Sequence, residues 1–303
     1  MEVSIVIVNY HLSKEIDQCI QSILEWSADV QIEIIIVDNS VDRDETEALV
    51  QLQTHDRANI ICIFNESNIG FGRACNIGAD AAKGKYVCFL NPDTKLVAEI
   101  FRPLITLLES DGSCAVVSPR QQISEGVLDF SAGFFPSVLS ELLNILYIGR
   151  FLETLWIGAT NRNEPRTVDW VMGAFILISR RHFLDIGKFD PAYFMFFEES
   201  DLCKRLKRSG FSIKYVPTLH IDHAGSVSGK KDYRFFTRQF YHSKLIFLRK
   251  SYRGLERQLL VIETYIQLAG QLVLWSILFP VKPTKSSQKM LGIIDVLQQK
   301  NIQ

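Results

Sequence analysis

The feature that most constrains this chain is a series of β-branched, almost unbroken apolar runs that alternate with amphipathic segments. Val3-Ser4-Ile5-Val6-Ile7-Val8 comes first, and its near-continuous apolar character is that of a parallel strand covered on both faces. Ile16, Cys19, Ile20, Ile23 and Leu24 then recur at helical spacing, after Ser13 placed as an N-cap. Ile32 to Val37, Ile60 to Phe64 and Tyr86 to Leu90 repeat the strand pattern. Helices are expected between them over residues 43–53 and 71–82. This rhythm implies an α/β fold, a doubly wound, mostly parallel sheet with right-handed crossovers. The strand-to-helix loops then leave one edge, where open α/β sheets bind ligands.

Three strand ends carry polar residues suited to a nucleotide: Asn9-Tyr10, Asp38-Asn39-Ser40 and Asn91-Pro92-Asp93. Pro92 cannot continue a central ladder and holds Asn91 extended, so Asp93 projects from a tight turn at the carboxyl end of its strand. The loop Asn65 to Arg73 leads into a helix whose exposed N–H groups and positive end suit a phosphate, with Gly70 and Gly72 permitting close approach. Cys75 stands where a dinucleotide fingerprint has its third glycine, which argues against NAD.

A helix over 98–110 and a strand at Ala115-Val116-Val117 follow. Residues 120–168 read as a partly helical insertion, with an apolar stretch from Val138 to Trp156. Trp170 to Ile178 reads as one strand, Phe189-Asp190-Pro191 as a turn and Phe211 to Val216 as a further strand. Between the last two, Glu198, Glu199 and Asp201 open a helix whose later turns are basic. A capping role fits the helix dipole; four bulky neighbours, Phe194 to Phe197, also imply desolvation, which raises a carboxylate's pKa and makes it a better base near neutrality. His223, in what reads as a polar loop ending in Gly225-Ser226, has a structural and a ligand reading at even weight.

The six cysteines form no CxxC pair, and four sit in apolar runs, as expected of buried thiols in a reducing, cytoplasmic setting. The opening apolar run is six residues long and follows Glu2, so it is a strand and not a signal peptide. A net charge of −1 argues against a nucleic-acid partner. Charge is nevertheless uneven, with nine Lys/Arg against Asp232 and Glu256 over residues 230–257. Leu259 to Val281 is mostly apolar, but Glu263, Gln267 and Gln271 form a polar stripe. A central Glu costs about 2.5–3.5 kcal/mol to insert. A membrane span is therefore the minority reading, behind an amphipathic helix on a membrane surface, reached through residues 230–290, and a helix packed on the protein or a second subunit.

Taken in order, Val6 to Tyr10, Val37 to Ser40, Asn68 to Asn76, Leu90 to Thr94, Phe197 to Leu202 and His223 to Ser226 resemble the inverting nucleotide-sugar glycosyltransferases of family 2, in particular their bacterial rhamnosyltransferase-like branch. The resemblance spans residues 3–250. Each motif alone is weak, and six in order are specific. The resemblance implies the GT-A fold over residues 1–228, with a Rossmann-like nucleotide-sugar-binding half (1–119) and an acceptor-binding half (120–228), followed by a basic, amphipathic helical region (229–303). It implies a donor site of Asn9, Tyr10, Asp38, Asn39, Asn68, Gly70, Gly72, Arg73, Asn76 and Asn91, with Asp38 on a pyrimidine base. Asn91-Pro92-Asp93 stands at the family's Asp-x-Asp position, so Asp93 would hold Mg2+ or Mn2+ against the diphosphate, with His223 as a second ligand. Asn91 departs from that pattern.

Glu199 falls where the family has its general base; the base lies between Glu198 and Glu199, with Glu199 favoured, and Asp201 is grouped with them at the helix start. Trp170, Met172 and Gly173 would line the acceptor side. The implied activity is transfer of a sugar, rhamnose favoured, from a dTDP- or UDP-sugar to a saccharide or lipid-linked acceptor in cell-surface polysaccharide synthesis. It would take place in the cytoplasm or at the inner face of the plasma membrane, with a homodimer left open. Two other readings stand beside it, a sugar nucleotidyltransferase and a non-catalytic nucleotide-sugar-binding module. Against the first, Asn9-Tyr10-His11-Leu12 has neither the glycine nor the cation such enzymes place after the first strand.

Overall fold

A computed structural model of the protein describes residues 1–54, 59–122, 131–145, 164–224 and 232–298. The strands β1 (Val3–Asn9), β2 (Ile32–Asp38), β3 (Asn59–Phe64) and β4 (Tyr86–Leu90) are separated by helices α1 (Ser13–Trp26), α2 (Arg43–Leu52) and α3 (Phe71–Ala81). They lie parallel in the order β3-β2-β1-β4, with Asn9, Asp38 and Phe64 level across the sheet. The parallel order follows from the alternation of elements, since each helix returns the chain to the same end of the sheet. The central strands β1 and β4 are buried along their whole length, as their unbroken apolar runs require.

Beyond β4 the sheet becomes mixed. β5 (Thr94–Leu96), α4 (Phe101–Ser110), β6 (Cys114–Gln122), β7 (Ala132–Gly133), α5 (Val138–Ile145), β8 (Arg166–Val168), β9 (Trp170–Val171), β10 (Phe175–Ser179), α6 (Arg180–Asp185), α7 (Glu198–Arg208) and β11 (Ser212–His223) follow in sequence. The sheet continues β4-β10-β6-β11-β5, with β10 antiparallel to both its neighbours and β5 antiparallel to β11; β8 also pairs with β11.

Four local expectations are corrected. Trp170 to Ile178 is two strands, because Met172-Gly173-Ala174 turns the chain out of the small β7–β9 pair into the main sheet. The strand expected over 211–216 runs on to His223, so His223 is a strand residue and not part of a loop. The helix expected over 98–110 starts only at Phe101. Ser13 is the first residue of α1 and not its cap; its amide and hydroxyl both donate to Glu45, from α2, at 3.1 Å. A carboxylate from a neighbouring helix thus replaces the local cap at the positive end of α1. Gly225-Ser226 and most of the Val138–Trp156 stretch beyond Ile145 lie outside the described residues.

The chain divides into two compact units, one of residues 1–134, 160–191 and 198–225, the other of 135–159, 192–197 and 226–303. The first contains the sheet. Its close packing is set in part by Gly78 of α3, where a Cβ would come within 2.4 Å of Val6 Cγ1 on β1. Gly78→Ala is expected to destabilise the fold. The gain in helix propensity is at most about 1 kcal/mol, whereas overpacking a rigid β-branched side chain costs about 1–3 kcal/mol or more. Chemical denaturation of the variant checks the sign. The second unit is helical, with α8 (Tyr233–Ser251), α9 (Gly254–Leu278) and α10 (Pro283–Gln298). Its core joins Leu245, Phe247 and Leu248 to Leu260, Leu268, Ile293 and Val296.

Candidate active site

The carboxyl ends of β1 and β2 meet in a buried polar network. The Asn9 side-chain amide donates to Asp38 Oδ1 (2.8 Å), Ser40 Oγ (3.1 Å) and Glu45 Oε2 (2.9 Å), and its carbonyl accepts from Leu12 N–H at 3.0 Å. Asn9, Asp38, Asn39 and Ser40 are all buried. Asp38 Oδ1 also accepts from the Ser40 amide, so one carboxylate oxygen is committed to the protein. Asn39 accepts from Asn65 Nδ2 at 2.8 Å and donates to the Gly70 carbonyl at 3.3 Å, which ties the β2 end to the loop before α3. Gly70 has φ of 87°, a conformation that favours glycine, and Asn68 accepts from its amide. Tyr10 is exposed beside His11, whose φ is 57°.

Glu45 was not among the expected site residues. A sequence signal did exist for Glu45. Asp42 and Glu45 have capping-box spacing, and Asp42 does accept from the Glu45 amide, but the glutamate side chain turns to Asn9 and Ser13 instead of closing the box.

A second corner forms where β4 ends. Pro92 and Asp93 make the turn into β5, and Thr94 closes it by donating its hydroxyl to the Asn91 carbonyl at 2.7 Å. The antiparallel pairing of β5 with β11 sets His223 opposite Thr94. His223 Nε2 therefore lies 3.3 Å from Asp93 Oδ1 and 3.5 Å from the Asn91 amide, both ring and carboxylate being buried. A hard carboxylate oxygen is a fitting ligand for Mn2+ or Mg2+, and here an imidazole nitrogen stands beside it. Among the described residues no third His, Cys, Asp or Glu joins them, so diphosphate oxygens and waters would complete the sphere.

The third group is the start of α7. Glu198 is buried with Oε2 unpartnered, and Glu199 is half-buried, its Oε1 accepting from Ser200 Oγ at 3.2 Å. Burial raises the Glu199 carboxyl to about 7 and pushes Glu198, beside the Glu199 charge, well above the usual carboxylate range. The helix N-terminus opposes this by only about 0.3–1 kcal/mol, less than one pKa unit. Burial therefore wins. Phe196 and Phe197, which lead into α7, have φ of 68° and 67°, and such left-handed backbone stores about 1–3 kcal/mol per residue. Strained backbone held at this point is characteristic of a site whose geometry is over-determined.

Other expected site residues have mixed placements. Asp201 is paired with Arg205 (2.7 Å), which also donates to the carbonyls of Ile186 and Lys188. Its carboxylate is thereby tied to the chain beneath α7. Arg73 donates twice to the Pro191 carbonyl, and Asn76 exchanges two hydrogen bonds with the Phe189 backbone. Both therefore hold the 189–191 turn against α3. At Gly72 a Cβ would meet Phe189 Cβ at 3.2 Å and Glu198 Cβ at 3.5 Å, so the first turn of α3 abuts Glu198 directly. Trp170 donates to the Phe134 carbonyl, and the Met172–Gly173 turn is fixed by the Ser131 carbonyl, by Gln121 and by Asn91 N–H donating to Ala174. That turn thus sits against the Asn91 end of β4.

A mostly parallel sheet interrupted by the antiparallel strand β10 and bordered by the antiparallel strands β5 and β8, with an acid at the end of β4, is the architecture of GT-A glycosyltransferases. The mannosyltransferase PcManGT of Pyrobaculum calidifontis, solved with GDP-Man and Mn2+, shares the fold with a TM-score of 0.63 at 14% identity, over 99% of this chain and 88% of that one. GalNAc-T7, solved with UDP, GalNAc and Mn2+, does so with a TM-score of 0.59 at 18% identity over 74% of this chain, which spans 44% of that protein.

The model of glycosyl transferase family 2 matches residues 4–187, and the chain belongs to that family. Among curated relatives, the rhamnosyltransferase WbbL of Escherichia coli K12 is 29% identical over 187 residues, 59% of this chain and 69% of that one. The N-acetylglucosaminyl-diphospho-decaprenol L-rhamnosyltransferase of Mycobacterium tuberculosis is 24% identical over 265 residues, 82% of this chain and 85% of that one. The chain is thus a glycosyltransferase similar to rhamnosyltransferases.

Proposed function

We propose that this enzyme transfers rhamnose from a nucleoside-diphosphate sugar to a saccharide or lipid-linked acceptor, with inversion, at the cytoplasmic side of the membrane. The observation that carries the reading is the His223–Asp93 corner, 3.3 Å across, at the same sheet edge as the Asn9–Asp38 network. The two rhamnosyltransferase relatives support the choice of sugar, and the lipid acceptor in the mycobacterial relative's name supports that class of acceptor.

In this reading Asp38, Asn39 and the Asn68–Gly70 loop hold the base and ribose. The N-terminal turn of α3 faces the diphosphate. Asp93 and His223 would hold Mg2+ or Mn2+, with Asn91 beside them. When bound, the ion neutralises charge on the departing diphosphate. Glu199 removes the proton from the acceptor hydroxyl. The acceptor oxygen bonds to the anomeric carbon as the bond from that carbon to the diphosphate oxygen breaks, and the electron pair leaves with the nucleoside diphosphate. A single displacement inverts the centre without a covalent enzyme intermediate. Glu198, with its raised pKa, remains protonated and keeps a second negative charge away from Glu199. Arg205 and Asp201 position the helix that carries both. The turn at Trp170, Met172 and Gly173 lines the acceptor side.

The test is a thermal-shift panel of dTDP-rhamnose, UDP-glucose, UDP-galactose, UDP-N-acetylglucosamine and GDP-mannose, with and without Mn2+. A ligand present at about 100 times its Kd adds about 2.7 kcal/mol of stability. The largest, Mn2+-dependent rise is expected with dTDP-rhamnose. A larger rise with another donor would overturn the sugar, and no rise with any donor would overturn the reading.

A further inference from the structure

The second unit carries a helix that is inverted with respect to water. On α9 two residues of the polar stripe, Glu263 and Gln267, turn polar atoms to the unit's interior. Gln267 Oε1 accepts from Lys244 Nζ at 3.3 Å, Lys244 is paired with Glu141 of α5 in a buried ion pair, and Glu263 has an oxygen shielded from solvent without a partner. Burial and the neighbouring Glu141 raise the Glu263 carboxyl above its usual range. Leu260, Thr264 and Leu268 on the same side are fully buried.

The opposite side is apolar and open. Leu255, Leu259, Ile262, Ile266, Val273 and Ile277 recur three, four or seven residues apart, which places them on one face, and all but Leu259 are 52–69% exposed. A helix surrounded by water turns its Leu and Ile inward. This one turns them out.

The apolar exposure does not stop at one seam. Leu139 and Leu142 on α5, Phe279 and Val281 after α9, and Leu291 and Leu297 on α10 are also exposed. A paired coiled coil would confine exposure to an a/d stripe and flank it with complementary charges, whereas here the stripe is bordered by Gln258, Gly270 and Ser276. Charge complements an anionic surface instead: apart from the buried Lys244, nine Lys/Arg stand against four Asp/Glu over residues 232–298, in a chain whose net charge is −1. Lys282, directly after the exposed Val281, is itself exposed.

α9 is also long and apolar enough to cross a bilayer, its most apolar 18 residues having a mean hydropathy of 1.4. Leu260, Thr264 and Leu268 of its inner side, however, are buried within the helical unit, so it is suited to lie on a surface. We infer that the outer face of α9, with the exposed apolar residues of α5 and α10, is a docking surface for an anionic lipid bilayer. The protein sits on the membrane by this face, with α9 in the interfacial plane.

Flotation of the full-length protein with vesicles tests this. One set is pure phosphatidylcholine, the other equal parts phosphatidylcholine and phosphatidylglycerol. Wild type is expected to float with the anionic vesicles, at least about tenfold more than with the neutral ones. A variant carrying Ile262→Gln, Ile266→Gln, Val273→Gln and Ile277→Gln should lose flotation by about tenfold or more. Because these side chains already face solvent, its circular dichroism and melting midpoint should match wild type, which separates lost docking from misfolding. Absence of wild-type flotation with either vesicle set overturns the inference. So does undiminished flotation of the variant. A wild-type dimer that the same substitutions convert to a monomer in light scattering, with no vesicle binding, would overturn it in favour of a second copy on this face.

Discussion

Replacing Glu199 with Gln is expected to lower kcat by about 10²–10⁴-fold, the range that a positioned general base supplies, while leaving donor binding within about twofold. In wild type the rate should rise with pH through about 7, because burial raises the Glu199 carboxyl to that value and only the carboxylate can take the acceptor proton. The same substitution should stabilise the fold at pH 8. Glu199 has a folded pKa above its ordinary value of 4.5, so folding takes up a proton between those two pH values. The stability tied to this group is thus fully present below pH 4.5, falls as pH rises to about 7, and stays lost above it. Glutamine, neutral at every pH, removes that loss. A variant with a higher melting midpoint at pH 8, intact donor binding and no transfer would mark Glu199 as the base. Unchanged transfer in Glu199→Gln, with transfer lost in Glu198→Gln, would move that role to its neighbour.

Asp93→Ala is expected to have the second largest effect and a different signature. It removes the carboxylate that stands 3.3 Å from His223, so the Mn2+-dependent part of donor binding should disappear. Donor affinity in Mn2+ should fall to about its value in chelator, where wild type and variant should bind alike. His223→Ala should show the same pattern in weaker form, because diphosphate oxygens and waters can replace a single ligand. Isothermal titration with donor, in Mn2+ and in chelator, separates the outcomes. Equal enhancement by Mn2+ in wild type and in Asp93→Ala would remove Asp93 from the metal site.

Much of the first half of the molecule was legible in the chain alone. β1, β2, β3 and β4 are recognisable because a strand covered on both faces needs an unbroken apolar run, which periodicity reports locally. The placement of Asp38 and Asp93 at one sheet edge follows from the same reasoning, since parallel strands joined by right-handed helices must end on one side. The raised Glu199 was legible as well, from the aromatic run that precedes it.

What the sequence could not decide are the pairings between distant segments. Residues 170–178 read as one strand because both halves are apolar; only the β7–β9 and β4–β10 ladders show where it breaks. The extension of β11 to His223 is hidden for the same reason, since Pro217, Thr218, His220 and Asp222 interrupt the apolar pattern and the pairing partners, β6 and β5, are far away in the chain. Glu45, three residues after a helix cap, reads as a local capping residue until the fold brings Asn9 within reach. Likewise the polar stripe on α9 reads as its wet side until α5 and α8 supply Glu141 and Lys244 to meet it. The sequence by itself determined the parallel half-sheet and the edge at which Asp38 and Asp93 stand, because burial and chain direction are local constraints. The tertiary structure alone decided which acid locks Asn9 and which face of α9 is left open, because hydrogen-bond partners and buried charges are chosen among residues a linear pattern does not bring together.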